Sequence, residues 1–299
     1  MRVAYLAGRA VLTGLVRRLP LAAVPPLRRY SPVRRAVRWG GVPRAVHTFA
    51  LPDNPELRFV NADSQVTQQL YWGGERGWEP ELLPWWRYAC RRAAKVVELG
   101  SNVGYYAVQG GRAAPGARYL AVEPHPTSAR TCRENLALNG ITSVEVLAAA
   151  ATADPAQPYI DLVVPWEQQG TPTVAFMARG SELPASMADR RATTVRVPAV
   201  DVRSLLDGVD VLKVDVEGQE HALLAASWAP LREHRPTIFV EVLPGTPQLR
   251  ALLARLCVEL GYRCFIPRPD RLVPLSPGRL PTVDVQGEQG TNDLILRAG

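Results

Sequence analysis

From residue 95 onward the chain alternates short apolar runs with amphipathic stretches, the pattern of strands laid side by side with helices between them. Seven strands are predicted, over Lys95–Leu99, Arg118–Glu123, Val144–Ala149, Val209–Val214, Thr237–Val242, Tyr262–Ile266 and Asp293–Arg297. Helices are predicted over Val103–Arg112, Pro126–Asn139, Gln219–Ser227 and Pro247–Leu260. The last carries Leu249, Leu252, Leu253, Leu256 and Leu260 on one face and stops at Gly261. Val209–Val214 is almost wholly apolar, which places it centrally with both sheet faces covered. About sixty residues separate the third and fourth strands, too many for a plain connection. That insertion, Thr152–Leu206, is expected to hold strands at Tyr159–Val164 and Thr193–Val197 and a polar loop around Gly170–Ala188. Asp201 is positioned to cap a short helix, Val202–Asp207.

The chain upstream has a different texture. Residues 46–92 mix extended runs (His47–Leu51 and Leu57–Asn61) with an aromatic patch of Tyr71, Trp72, Trp78, Trp85, Trp86 and Tyr88. The patch offers walls for an apolar or sugar-like ligand, or a seat for the residues before it. The organisation expected is a basic leader (1–45), a substrate-side segment (46–92) and a catalytic domain (93–299) with its insertion (152–206).

Charge separates the leader from the rest. Residues 1–52 hold ten arginines and no acid, so with a net charge of +7 the remainder stands at −3. Such a leader suits an anionic membrane surface, nucleic acid or an acidic partner, or reflects a general arginine preference. Val3–Val16 is interrupted by Arg9 and closed by Arg17, Arg18 and Pro20, too short and too charged to span a bilayer. It also lacks the clean apolar stretch and cleavage site of a signal peptide, leaving weak membrane-surface contact as its expected reach. Cys90, Cys132, Cys257 and Cys264 form no Cys-x-x-Cys pair, which argues against zinc or a disulfide framework and for reduced thiols in a cytoplasmic protein. Of 35 basic residues only Lys95 and Lys213 are lysines, and Lys213 lies inside an apolar strand. A compact ammonium there is no substitute for a guanidinium fork.

Three motifs carry chemistry. Glu98-Leu99-Gly100-Ser101-Asn102-Val103-Gly104 stands where a strand turns into a helix, and its glycines allow a tight bend at a helix start with free N–H donors. This is not Gly-x-Gly-x-x-Gly, so a pyrophosphate clamp is not expected; an acid before the glycines suits a ligand with an amino group and no phosphate, such as S-adenosylmethionine. Glu123 ends the next strand, 23 residues after Gly100, where a carboxylate can accept from both ribose hydroxyls. Lys213, Asp215 and Glu217 fall on one face if their strand stays extended, at the carboxyl edge where open α/β sheets bind ligands. Glu241 ends a neighbouring strand on the same edge, while Glu220 and His221 open a helix.

Glu98–Gly104, Val122-Glu123-Pro124 and Leu212-Lys213-Val214-Asp215-Val216-Glu217-Gly218-Gln219-Glu220 together resemble the FkbM family of S-adenosylmethionine-dependent methyltransferases. Gly77-Trp78-Glu79-Pro80 and Val200–Leu206 are similar to further family positions, and the likeness runs over roughly residues 46–299. Glu98 stands where Asp is more usual and Ser101 where Ala is common. The resemblance implies a class I methyltransferase fold, a Rossmann-like α/β sheet of seven mostly parallel strands with one antiparallel. It also implies O-methylation of a hydroxyl on a small molecule, a natural product or sugar of secondary metabolism. The cofactor set expected is Glu98, Gly100, Ser101, Asn102, Gly104, Tyr105, Glu123, Pro124, Ala150 and Ala151. For the chemistry, Asp215 or Glu217 is the expected base, with Lys213 orienting it or stabilising an alkoxide and Glu241 alongside. In a variant, Asp215, Glu217 and Glu241 hold Mg²⁺.

Three other functions compete. A nicotinamide dehydrogenase lacks its third glycine. A nucleic-acid methyltransferase has only the leader in its favour, since no Asn/Asp-Pro-Pro-aromatic tetrad occurs and the body is acidic. A cofactor-binding scaffold without turnover is the third, and the intact glycines and acids speak against it. Acceptor identity and oligomeric state are not written in the sequence.

Overall fold

The structure is a computed structural model and describes residues 15–18, 41–165, 176–177, 192–283 and 291–299. Its frame is an eight-stranded sheet. In chain order the strands are β3 (Lys95–Leu99), β4 (Arg118–Val122), β5 (Val144–Leu147), β10 (Val211–Val214), β11 (Thr237–Glu241), β12 (Tyr262–Pro267), β13 (Leu272–Leu275) and β14 (Asp293–Ala298). Across the sheet they lie in the order β13-β12-β14-β11-β10-β3-β4-β5. Five central strands, from β11 to β5, are parallel, and β14 inserts antiparallel between β11 and β12. The seven expected strands and their one antiparallel member are therefore present. The eighth, β13, hairpins back from β12 on the edge and carries Pro274 within only four residues, Leu-Val-Pro-Leu, which weakened its strand signal.

Side chains alternate across the two faces of this sheet. Val96, Val211, Phe239 and Ile295 face one apolar cluster with α2 (Leu83–Cys90), α3 (Tyr105–Ala113) and α4 (Pro126–Leu138). Val97, Leu212, Ile238 and Leu296 face a second cluster. That face is covered by α5 (Val202–Leu205), α6 (Glu220–Ala226), α7 (Trp228–His234) and α8 (Pro247–Leu260). Asp201 caps α5, accepting from the Arg203 amide at 3.1 Å.

Residues 46–92 fold onto the α3–α4 face. The hairpin of β1 (Thr48–Ala50) and β2 (Arg58–Val60) is tied to α4 by Asn135 and Asn139, whose side chains accept from the Val60 and Arg58 amides at 2.7 and 3.0 Å. Then α1 (Gln65–Gly73) begins in a capping box between Ser64 and Thr67. Most of the aromatic patch is packing: Tyr71, Trp72 and Trp86 are buried, and Trp86 stands edge-on to Tyr106, Tyr119 and Phe239. Trp72 donates to the Gly41 carbonyl at 2.8 Å and so seats the end of the leader. Trp85 donates instead to Arg268 O and Trp86 to Tyr106 O.

The third predicted strand ends two residues early, at Leu147. After β5 the chain leaves the main sheet, and β6 (Ala150–Thr152) pairs with β9 (Ala192–Asp201) in a four-stranded sheet with β7 (Tyr159–Pro165) and β8 (Phe176–Met177). Of the polar loop expected at 170–188, only β8 is within the described residues. Most of the leader also lies outside them. No helix among the described residues is long and apolar enough to cross a membrane.

Candidate active site

The parallel topology brings the carboxyl ends of β3, β4, β10 and β11 to one edge, and a cavity of about 350 Å³ opens there. Its wall takes Glu98, Gly100, Ser101, Asn102, Tyr105, Glu123 and Pro124 from one side and Lys213, Asp215, Glu217 and Glu241 from the other. Most of the expected site residues thus meet in one place. Gly104, Ala150 and Ala151 do not reach it. Gly104 is needed for packing, since a Cβ there would lie 2.5 Å from Cys132 Sγ. Ala150 and Ala151 are buried in two apolar clusters on β6. No described residue of the insertion lines the cavity, and of the aromatic patch only Trp78 does.

The glycine bend is built for close contact with protein. Gly100 has φ +84°, and a Cβ on it would sit 1.7 Å from the Asp215 carbonyl oxygen. The loops after β3 and β10 therefore touch backbone to backbone. The amides of the bend, expected to be free donors, are all satisfied internally. Gly100 and Ser101 donate to Val122 O, Asn102 to Glu123 Oε2, Val103 to Asn102 Oδ1 and Gly104 to Ser101 O. A phosphate-binding loop needs such amides free. This bend instead presents shape and carboxylates, which fits a nucleoside without phosphates.

Glu123 does not point away. Its two oxygens accept from the Asn102 and His125 amides, both at 2.8 Å, which fixes the carboxyl plane inside the cavity wall. Burial pushes this carboxyl up to about 7, against the pull of the two amides. Glu98 is buried as well and accepts from Tyr119 OH at 2.5 Å; burial lifts it to about 7 against the Lys213 charge.

Beyond β10 the strand does not stay extended. It ends at Val214, and Glu217 turns into left-handed backbone at φ +51°. The turn still returns Glu217 to the cavity because Glu220 grips it, accepting from the Val216 and Gly218 amides at 3.0 Å each. Glu220 holds the loop and does not line the cavity; neither does His221.

Lys213 is buried and donates to Asp215 Oδ2 at 2.6 Å, with its ammonium 4.8 Å from the Tyr106 ring centre. Burial alone would lower this amine, but Asp215, Glu79, Glu98 and Asp293 together hold it above the ordinary lysine value. Register explains the crowding. Lys213 pairs with Glu98 and with Phe239, and one step further along the edge Glu241 pairs with Asp293. Burial first, then neighbouring negative charge, raises Glu217 to about 8 and Glu241 to about 10. Glu241 Oε2 is buried without a protein partner.

Among the described residues no group of three or more His, Cys, Asp or Glu stands at metal-binding spacing. One Asp215 oxygen is already taken by the Lys213 ammonium. The donor set does not fit the Mg²⁺ variant.

Several wall residues were not foreseen: Val66, Glu79, Tyr106, Leu243 and Asn292 line the cavity, and Asp293 packs behind it. Glu79 and Trp78 come from the loop before α2. Asn292 precedes and Asp293 starts β14, whose antiparallel course delivers its first residue to the edge where parallel strands end.

A sequence comparison identifies the methyltransferase FkbM domain over residues 98–264, more than half of the chain. The methyltransferase sdnD of Sordaria araneosa is 28% identical over 187 residues, which cover 53% of this chain and 71% of that protein. Among solved structures, methyltransferase FkbM from Methylobacillus flagellatus aligns with a TM-score of 0.42 at 16% identity, over 77% of this chain and 54% of that one. The O-methyltransferase TomG from Streptomyces achromogenes, solved with S-adenosylmethionine, aligns with a TM-score of 0.39 at 14% identity, over 74% and 80%. This chain belongs to the FkbM family of S-adenosylmethionine-dependent methyltransferases.

Proposed function

We propose that the protein methylates a hydroxyl oxygen on a small molecule, a natural product or a sugar. The observation that carries this reading is the single cavity in which Glu98 and Glu123 face Asp215, Glu217 and Glu241. S-Adenosylmethionine supplies a methyl on a positively charged sulfur that leaves as a neutral thioether. On the β3–β4 side, Glu123 has lone pairs remaining for ribose hydroxyls, and Gly100, Ser101, Asn102, Tyr105 and Pro124 complete the wall beside it. Glu98, at the foot of the bend, suits the cofactor's amino group.

The β10–β11 side is then left for the acceptor. A hydroxyl is a poor nucleophile at neutral pH and needs its proton withdrawn as it reacts. Lys213 anchors one Asp215 oxygen and leaves the other to orient the hydroxyl. Glu217 and Glu241 keep their protons near neutrality and so serve as O–H donors to other acceptor oxygens. This donor-and-acceptor wall suits a polyhydroxylated molecule, and Trp78 adds an apolar face.

The test is methyl transfer from labelled S-adenosylmethionine into extracts of a strain lacking the gene, read by mass spectrometry. A small product heavier by one methyl, formed without loss at high salt or with EDTA, is expected. Asp215→Asn should lower turnover by roughly 100-fold while the cofactor still binds. Label appearing only in nucleic acid, with activity that falls steeply as salt rises, would overturn the proposal.

A further inference from the structure

We infer that Glu79, on the loop between α1 and α2, is the catalytic residue that takes the proton from the acceptor hydroxyl, and that Tyr106 positions it. The inference deepens the O-methylation reading and rests on it. Glu79 stands in the Gly77-Trp78-Glu79-Pro80 segment, upstream of residues 98–264, and lines the same cavity as Trp78 and Asp215.

With Glu98 and Glu123 given to the cofactor, Glu79 is set apart from the cavity's remaining acids by its geometry. Asp215 is ion-paired through Oδ2 with the Lys213 ammonium and its other oxygen is the one that orients the hydroxyl, whereas the partner of Glu79 is a neutral phenol. Glu217 and Glu241 hold their protons in the neutral range and are better donors than acceptors. Glu79 Oε2 accepts from Tyr106 OH at 2.7 Å, so the carboxyl is fixed by one oxygen and offers the other to the cavity. Its backbone is held too. Glu79 sits at φ +40°, a left-handed conformation that is rare for this residue, and its carbonyl accepts from the Leu82 and Leu83 amides at 3.1 and 3.3 Å at the start of α2. Strain of this kind persists only where the surroundings over-determine it, and it clusters at functional sites.

The groups facing Glu79 set its proton affinity. Burial raises it, Lys213 lowers it, Asp215 raises it, the Tyr106 hydrogen bond lowers it and Glu81 raises it, for a value of about 7. Asp293, behind it, is itself held protonated by burial and by Glu79. A carboxyl so poised is half ionised at neutral pH, where a general base works best. Glu79 then accepts the hydroxyl proton as the oxygen–methyl bond forms and the methyl–sulfur bond breaks with its electron pair on sulfur. The proton afterwards passes to solvent through the cavity mouth.

Two measurements test this. With the extract-derived acceptor, Glu79→Gln should lower methyl transfer at least 100-fold and abolish the acid limb near pH 7, while calorimetry gives S-adenosylhomocysteine affinity within 2-fold of wild type. Tyr106→Phe should keep measurable turnover and move that limb to higher pH. Independently of any acceptor, infrared difference titration should show three carboxyls protonating near 7 in wild type, those of Glu79, Glu98 and Glu123, with one band lost in Glu79→Gln and one shifted upward in Tyr106→Phe. Turnover within 3-fold of wild type in Glu79→Gln, or no band lost in that variant, overturns the inference. Failure of wild-type protein to label any small molecule would refute the O-methylation reading instead, and the infrared result would still decide the state of Glu79.

Discussion

Glu217→Gln is expected to make the protein more stable, by an amount that grows with pH. Glu217 is mostly buried, and desolvation, helped by Asp215 and Glu220, lifts its carboxyl from the ordinary 4.5 to about 8. Below pH 4.5 the side chain is protonated in both folded and unfolded chains, so wild type and variant should melt together. As pH rises past 4.5 the unfolded chain releases its proton first, which favours unfolding. Wild type keeps losing stability until the folded form also ionises, near pH 8. At 1.36 kcal/mol per pH decade, the variant should lead by about 3 kcal/mol at pH 7 and by about 5 kcal/mol above pH 8.5.

Glutamine keeps the size of the side chain and cannot ionise, so it isolates this one charge. For a chain of this length the pH 7 gap corresponds to roughly 6 °C in melting temperature, readable by calorimetry across pH 4 to 9. A gap that stays constant with pH, or a variant that melts below wild type at pH 8, would show that Glu217 is not a destabilising buried acid. The proton-donor role given to it would fall with that result.

Three further outcomes follow from the same geometry. Gly100→Ala should cost about 3 kcal/mol or more and abolish cofactor binding, because its Cβ meets the Asp215 carbonyl, which is backbone and cannot swing aside; unchanged thermal stability would refute it. Glu123→Ala should weaken S-adenosylhomocysteine binding about 10- to 100-fold by calorimetry, since it removes the carboxylate and strands the Asn102 and His125 amides; unaltered affinity would place the ribose elsewhere. Lys213→Met removes the buried cation among Glu79, Glu98, Asp215 and Asp293 and should destabilise by about 3–5 kcal/mol at neutral pH. The loss should shrink as pH falls and the acids take up protons, so a pH-independent loss would count against the charge argument.

Much of this site was legible because strand-terminal residues in a parallel sheet have only one place to go. Glu98, Glu123, Asp215 and Glu241 each close or follow an apolar run, and parallel pairing of those runs sends all four to the same edge. Glu217 reaches the cavity through a left-handed turn clamped by Glu220, not along an extended strand. Alternation along a strand cannot reveal a clamp whose partner is four residues ahead in a helix.

The remainder depended on pairings that no local pattern encodes. Glu79 stands in a loop without periodicity, and what makes it matter is the hydroxyl of Tyr106, 27 residues away on α3. Asp293 opens a strand that reads as any other. Only the antiparallel register, Glu241 opposite Asp293, turns its first residue into a neighbour of the cavity acids. That register sets acids side by side on the edge with one lysine among them, so they cannot all ionise together. Glu241 and Asp293 hold their protons, Asp215 takes the ammonium, and Glu79 is left near the midpoint of its titration. The division of labour among chemically similar carboxylates therefore arises from the order of strands in the sheet, and an unfolded chain with the same residues would have no basis for it.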